Sequence, residues 1–244
     1  PLFDSGWHAG RLYYVMPAIS GTTLRGVLAE QGRLPQAQAL RLVGDVAEAL
    51  AYAHAFGVVH RDIKPENIFS ANGRAIVADF GIAQVVQRES RTQTLTADGV
   101  AVGTVAYMSP EQAVGEPTLD GRADLYSLGC VLLELLTGAP PFAGPSAMNV
   151  LAQHMGTLPE VARRIPDAPA ALVSLLERML AKDPAARPAG AAEVVQALDA
   201  IALGRVERAG RASLPKPALP RSVAVGPESE VKRALTEARL LFNQ

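Results

Sequence analysis

The chain has 244 residues, 49% of them apolar, with a formal net charge of −1. That is enough material for one large domain, or a domain plus a tail, around a real core, and the near-zero charge argues against bulk attraction to nucleic acid or a membrane surface. The single cysteine, Cys130, excludes an internal disulfide and points to a reducing, cytoplasmic compartment. The longest apolar stretch, Leu128 to Leu136, is short and carries Glu134, so no membrane segment is expected. The start has no basic region followed by an apolar one, and it begins on Pro1 without a Met, as a fragment or processed product would.

In chain order, Leu12-Tyr13-Tyr14-Val15-Met16 predicts a buried strand ended by Pro17. Thr22 or Thr23 is placed to cap a short helix through Glu30, stopped near Gly32. Pro35 suits the first turn of a long helix to about Phe56, with Leu40, Val43, Ala47, Leu50 and Ala51 at helical spacing and Gly57 as its cap. Ile68-Phe69 and Ala75-Ile76-Val77 predict paired strands around an Ala71-Asn72-Gly73 turn. Gln84 to Ala106 is polar, Thr-rich and aperiodic, and a connection of that length is usually functional.

Arg122 to Leu136 reads as a helix apolar nearly all round, hence central and buried, ended by Gly138-Ala139-Pro140-Pro141. Helical patterns follow around Ser146–Met155, Pro169–Ala181 and Ala189–Leu203. Residues 204–226 carry Arg, Pro and Ser and read as an exposed linker. Residues 227–244 are helical in pattern again, with Val231, Leu235, Ala238 and Leu241 on one stripe, and either dock on the domain or open a further helical one.

The chemistry-bearing residues concentrate in Val59-His60-Arg61-Asp62-Ile63-Lys64-Pro65-Glu66-Asn67 and in Ala78-Asp79-Phe80-Gly81. An Asp, an Asn and a second Asp in such a pattern can supply one proton acceptor and two metal ligands around a phosphate chain. Taken singly, Asp62 and Asn67 read more readily as loop residues that satisfy their own backbone.

Read together as HRDIKPEN followed by DFG, the segments resemble the eukaryotic-type Ser/Thr protein kinases, in their bacterial form. The resemblance implies an α+β kinase-like fold: a mostly helical large lobe over 19–203, with 1–18 as the last strands of the small lobe and the hinge. It implies transfer of the γ-phosphoryl group of ATP, with Mg²⁺ or Mn²⁺, to Ser/Thr hydroxyls of proteins. Asp62 would accept the hydroxyl proton, Lys64 neutralise the migrating group, and Asn67 and Asp79 bind metal. Gly81 would free the backbone beside Asp79, and His60 would pack with Phe80 as structure.

Gly103 to Glu111 resembles the end of a kinase activation segment. Thr104 would then bond near Asp62 and Lys64, Glu111 pair with Arg187, and Asp124 anchor the catalytic-loop backbone. Thr92, Thr94 and, less clearly, Thr96 resemble autophosphorylation sites that would order the loop against Arg61, with self-association serving that reaction. The adenine would meet Pro17 and Ile19 behind a Met16 gatekeeper and rest on Phe69.

No Gly-x-Gly-x-x-Gly occurs, and none of the four lysines lies on a strand before the hinge. The expectation is therefore a kinase fragment with little activity by itself. A partner-binding pseudokinase is the alternative, and a small-molecule phosphotransferase a remote third.

Overall fold

The computed structural model describes residues 3–8, 11–15, 18–80 and 105–209. The chain divides into two units, 1–209 and 210–244, and the second lies outside the described residues. So do Met16, Pro17, Gly81, Thr92, Thr94, Thr96 and Thr104.

Strands β1 (Asp4–His8) and β2 (Arg11–Val15) pair antiparallel, with Gly6 opposite Tyr13. The sequence pattern predicts a buried strand over Leu12–Met16, but Tyr13 and Val15 are 40% and 43% exposed. The apolar residues found on β2 meet no third strand among the described residues, so propensity sets the strand without burying it.

A second sheet carries β3 (Thr22–Thr23), β4 (Ile68–Ala71) and β5 (Arg74–Val77) in that order, all antiparallel. Asn72 and Gly73 both take positive φ (51° and 77°) in the two-residue turn between β4 and β5, as a tight hairpin requires. Helix α1 (Leu24–Gln31) starts on Thr23, whose hydroxyl accepts from the Gly26 N–H, and stops at Gly32.

Helix α2 (Gln36–Ala55) buries Leu40, Val43, Val46, Ala47 and Leu50 on one face. On its other side the Asp45 carboxylate accepts the Ala75 N–H at 2.8 Å and pairs with Arg74 at 3.0 Å, which fastens β5 to the helix. After the described gap come α3 (Pro110–Ala113) and α4 (Arg122–Thr137). Then follow α5 (Ala147–Gly156), α6 (Val161–Arg164), α7 (Ala170–Met179) and α8 (Ala191–Ala209).

Helix α4 is the centre. Leu125, Tyr126, Leu128, Cys130, Val131, Leu132, Leu133 and Leu135 are all fully buried, and α2 and α7 pack on it while α8 packs on α2. Each such leucine contributes about 1.5–3 kcal/mol by leaving water. Gly138 ends α4 at φ +84°, and a Cβ there would stand 2.8 Å from the Gly32 carbonyl oxygen, so both the conformation and the close approach call for glycine.

Helix α8 continues past Leu203, where the sequence pattern ends it, to Ala209. Gly204 inside it costs about 1 kcal/mol relative to alanine, which its good helix-forming neighbours tolerate. No helix among the described residues is long and apolar enough to cross a membrane.

Candidate active site

The loop between α2 and β4 is suspended from one buried side chain. Asp124, in the first turn of α4, is fully buried, and its carboxylate accepts the His60 N–H at 2.8 Å and the Arg61 N–H at 2.7 Å. The Nε2 of His54, on α2, is 2.8 Å from the same oxygen that His60 uses. Arg61 takes a left-handed conformation, φ 70°, and its carbonyl accepts from Gln112 Nε2 at 2.8 Å. A non-glycine residue at that φ persists only where its surroundings fix it. Asp124 and Gln112 supply that fixing from either side of the same peptide segment.

His60 is enclosed. Its Nδ1 accepts the Asp62 N–H at 3.2 Å, which leaves Nε2 as the donor to the Ala78 carbonyl at 2.8 Å. Its ring meets Phe80 edge-on at 4.7 Å. The ring thus ties the segment of Asp62 to the segment of Asp79.

The other edge of the loop holds Asp62, Lys64 and Asn67, the residues that the sequence marks as candidates, with Asn67 buried and the other two half-buried. Asn67 Nδ2 donates to the Asp62 carbonyl at 2.8 Å and to Asp62 Oδ2 at 2.9 Å. Lys64 Nζ lies 2.7 Å from that same Oδ2. Oδ1 of Asp62 has no partner among the described residues, and the side chain is 32% exposed. The Asn67 carbonyl accepts the Ala78 N–H at 2.8 Å, which sets Asn67 beside the entry to Asp79. Asp79 is exposed, at φ 61°, and its carboxylate has no partner among the described residues. Phe69 is half-buried on β4, paired in register with Thr23 and Ile76, and Ile19 is half-buried ahead of β3.

Two further anchors flank the loop. Arg187 is buried and all five of its N–H groups are spoken for. They reach Glu111 in two bonds of 2.6 and 2.8 Å, and the carbonyls of Ala181, Lys182 and Arg122 at 2.8, 3.0 and 2.9 Å. Such a bidentate, fully satisfied guanidinium holds α3 against the end of α7. Ser109 and Gln112 close a reciprocal capping box at the start of α3.

The second anchor is Glu134 at the far end of α4. It accepts from Arg25 NH1 at 2.8 Å and from the Tyr107 hydroxyl at 2.5 Å. Arg25 also donates to Glu66 at 2.7 Å and to the Tyr107 oxygen. Burial alone would lower the Arg25 guanidinium, but the hydrogen bonds to Glu134 and Glu66 raise it well above its ordinary value. Burial, with Glu134 adding to it, likewise raises the Tyr107 phenol.

Sequence reasoning did not single out Arg25, Tyr107, Glu134, His54 or Gln112 as parts of the site. Only Gln112 carried a local signal, the Ser-x-x-Gln of a capping box.

A kinase-like lobe built around this loop is what the fold and site define. Comparison with protein families matches residues 2–198 to the protein kinase domain, and the chain belongs to that family. Among curated proteins it is 42% identical over 184 residues to the serine/threonine-protein kinase PknB of Mycolicibacterium smegmatis, covering 75% of this chain and 29% of that one. It is 43% identical over 190 residues to PknD of Mycobacterium tuberculosis H37Rv, covering 77% of this chain and 28% of that one. A probable serine/threonine-protein kinase of Corynebacterium efficiens is 38% identical over 219 residues, covering 87% of this chain and 33% of its own length. The chain therefore spans about a third of the length of the curated relatives it matches. Family membership carries with it, in general, the use of ATP and a divalent metal and action on protein substrates.

Proposed function

We propose that the chain carries the catalytic loop of a bacterial Ser/Thr protein kinase, in which Asp62 accepts the proton of a Ser or Thr hydroxyl as the γ-phosphoryl group of ATP is transferred to it. The observation that carries this reading is the unequal use of the Asp62 carboxylate. Asn67 and Lys64 both hold Oδ2, which fixes the plane of the group and leaves Oδ1 without a partner among the described residues, on a side chain 32% exposed. An oriented carboxylate with one oxygen unclaimed is what a hydroxyl needs to be aimed as well as deprotonated, and in phosphoryl transfer aim matters more than basicity.

The donor set fits a hard divalent cation. Asn67 commits its amide N–H groups to Asp62, so its Oδ1 faces elsewhere as a neutral oxygen ligand, and Asp79 offers a free carboxylate. Oxygen ligands without thiolate or imidazole favour Mg²⁺, or Mn²⁺ in its place. The cation, when bound, neutralises charge on the phosphates. Lys64 can leave Asp62 for a phosphoryl oxygen, since it is a flexible point charge.

Arg61 has no acidic partner among the described residues and stands beside Asp62 in sequence. It is the cation that a phosphate on Thr92, Thr94 or Thr96 would seek, with a second copy of the kinase as the phosphorylating partner. Met16, Pro17 and Ile19 would edge the adenine, Phe69 would support it, and Thr104 would bond near Lys64. The segment would act in the cytoplasm.

Asp79→Asn separates metal use from proton transfer. In the whole natural protein it should weaken Mg²⁺-dependent ATP binding, while Asp62→Asn should leave ATP binding within about twofold and remove turnover. Unchanged Mg²⁺ dependence in Asp79→Asn would remove Asp79 from the metal site.

A further inference from the structure

Gln112, on the short helix α3, divides one amide between two segments. Its Oε1 accepts the Ser109 N–H at 3.0 Å, which is half of the capping box at the start of α3. Its Nε2 donates to the Arg61 carbonyl at 2.8 Å, one peptide ahead of Asp62. The first neighbour offers only a hydrogen and the second only lone pairs, so a reversed amide would lose both bonds. The cap needs only the oxygen, which a glutamate would supply as well. The donor end is what distinguishes glutamine here, and it is spent on Arg61.

The segment that carries Gln112 is itself seated on the body of the lobe. The Ser127 hydroxyl of α4 donates to the Tyr107 carbonyl at 2.7 Å, Ser109 is fully buried, and Glu111 takes the paired bonds of Arg187. Among the described residues, the Gln112 bond is the one hydrogen bond that runs directly from residues 105–114 to the loop at 58–67.

The peptide that receives this bond is the one on which Asp62 is built. Arg61, at φ 70°, has a peptide plane on either side. Asp124 holds the plane before it, through the Arg61 N–H at 2.7 Å. The plane after it runs from the Arg61 carbonyl to the Asp62 N–H. Its N–H end gives to His60 Nδ1 at 3.2 Å, and its carbonyl end takes Gln112 at 2.8 Å. The His60 bond is the longer and comes from two residues back in the same loop. Gln112 is the holder that comes from outside the loop. A turn of this plane changes where the Asp62 side chain starts, and hence where its carboxylate points.

We propose that Gln112 is a positioning residue for phosphoryl transfer, which holds the Arg61–Asp62 peptide plane and so makes the aim of Asp62 depend on the seating of α3. The inference rests on the reading of Asp62 as proton acceptor and extends it. Gln112 touches neither substrate nor metal in this role. It acts through one carbonyl, and its effect is on the rate of transfer at bound ATP, not on the binding of ATP.

The test is Gln112→Glu in the whole natural protein. Glutamate keeps the oxygen that Ser109 uses and lacks the N–H that Arg61 uses, so it spares the cap and breaks the positioning bond. Single-turnover transfer of γ-phosphate to a Ser/Thr peptide, counted per ATP-binding site, should fall roughly 10–100-fold while ATP affinity stays within about twofold and the urea midpoint is unchanged. A residue that only caps α3 would leave Gln112→Glu as fast as the unaltered protein. A rate per ATP-binding site within about twofold, or a loss of ATP affinity in step with the rate, would overturn the proposal. Should Gln112→Glu fail to fold, Gln112→Met, of similar length and without either bond, decides on the same two readouts. Asp62→Asn, run alongside, separates the two readings. If it transfers at the unaltered rate, the reading of Asp62 fails and this inference with it. If it is inactive while Gln112→Glu is not slowed, only the inference about Gln112 fails.

Discussion

The two ends of α4 each bury a carboxylate, and the two are held in opposite ways. Asp124, at the start, accepts two backbone N–H groups and lies against one imidazole, and no Arg or Lys side chain among the described residues pairs with it. Glu134, near the end, accepts a guanidinium and a phenol. Asp124 therefore fixes backbone: it dictates where His60 and Arg61 run, and through them where Asp62 points. Glu134 fixes two side chains from elsewhere in the chain, Arg25 of α1 and Tyr107 ahead of α3. A carboxylate satisfied by backbone cannot be relieved by a rotamer change, whereas Arg25 is 39% exposed and can turn to water. The same helix thus offers one rigid anchor at the His60–Arg61 backbone and one adjustable anchor that reaches Glu66 of the same loop through Arg25.

That contrast sets an order of expected losses. Asp124→Ala should be the most severe. It strands two buried N–H donors and removes a charge that the fold is built around, for roughly 3–5 kcal/mol in urea unfolding. Asp124→Asn, which keeps one acceptor oxygen, should cost less than half as much; equal losses would mean that the backbone bonds are not what matters.

The middle of the helix gives the next effect, through Tyr126 and His154. Burial, with Lys182 adding to it, lowers His154 to about 4 in the folded state, against about 6.5 when unfolded. The native state then binds fewer protons than the unfolded one between these values. Stability from this group is complete above about pH 6.5 and falls as pH drops through 4, by roughly 3 kcal/mol. His154→Phe should flatten the pH dependence across that window, read as the change in urea midpoint.

Glu134→Gln should cost less, roughly 1–2 kcal/mol, because Arg25 can be rehydrated. A double-mutant cycle of Glu134→Gln with Arg25→Met should return a coupling of about 1 kcal/mol. A coupling as large as the Asp124 losses would erase the distinction between the two ends.

Much of this was legible in the sequence, for local reasons. Helices α1, α2 and α4 announce themselves by spacing and by Thr23, Gly32 and Gly138 at their ends, and the Asn72-Gly73 turn dictates the β4–β5 hairpin. His60, Asp62, Lys64 and Asn67 stand within one short segment, so their joint chemistry can be read before any fold is known. The resemblance that this segment carries is the family to which the chain belongs.

What the sequence hid is what the fold assembles from afar. Arg25 meets Tyr107 across 82 residues and Glu134 across 109, and His54 meets Asp124 across 70. Nothing near Arg25 distinguishes it from a solvated helix charge. Glu134 read only as the charge that interrupts an apolar run. The pattern of β2 misled differently: a run of aromatic and β-branched residues reports strand propensity, while burial depends on what lies across the sheet.

The account rests on Asp62 as the proton acceptor that Asn67 and Lys64 hold by one oxygen. The direct measurement is transfer of labelled γ-phosphate from ATP to a Ser/Thr peptide by the whole natural protein, with Asp62→Asn compared under single-turnover conditions. The account predicts a fall in the transfer rate of about 10²–10⁴-fold with ATP binding unchanged. A rate within a few fold of the unaltered protein would contradict it.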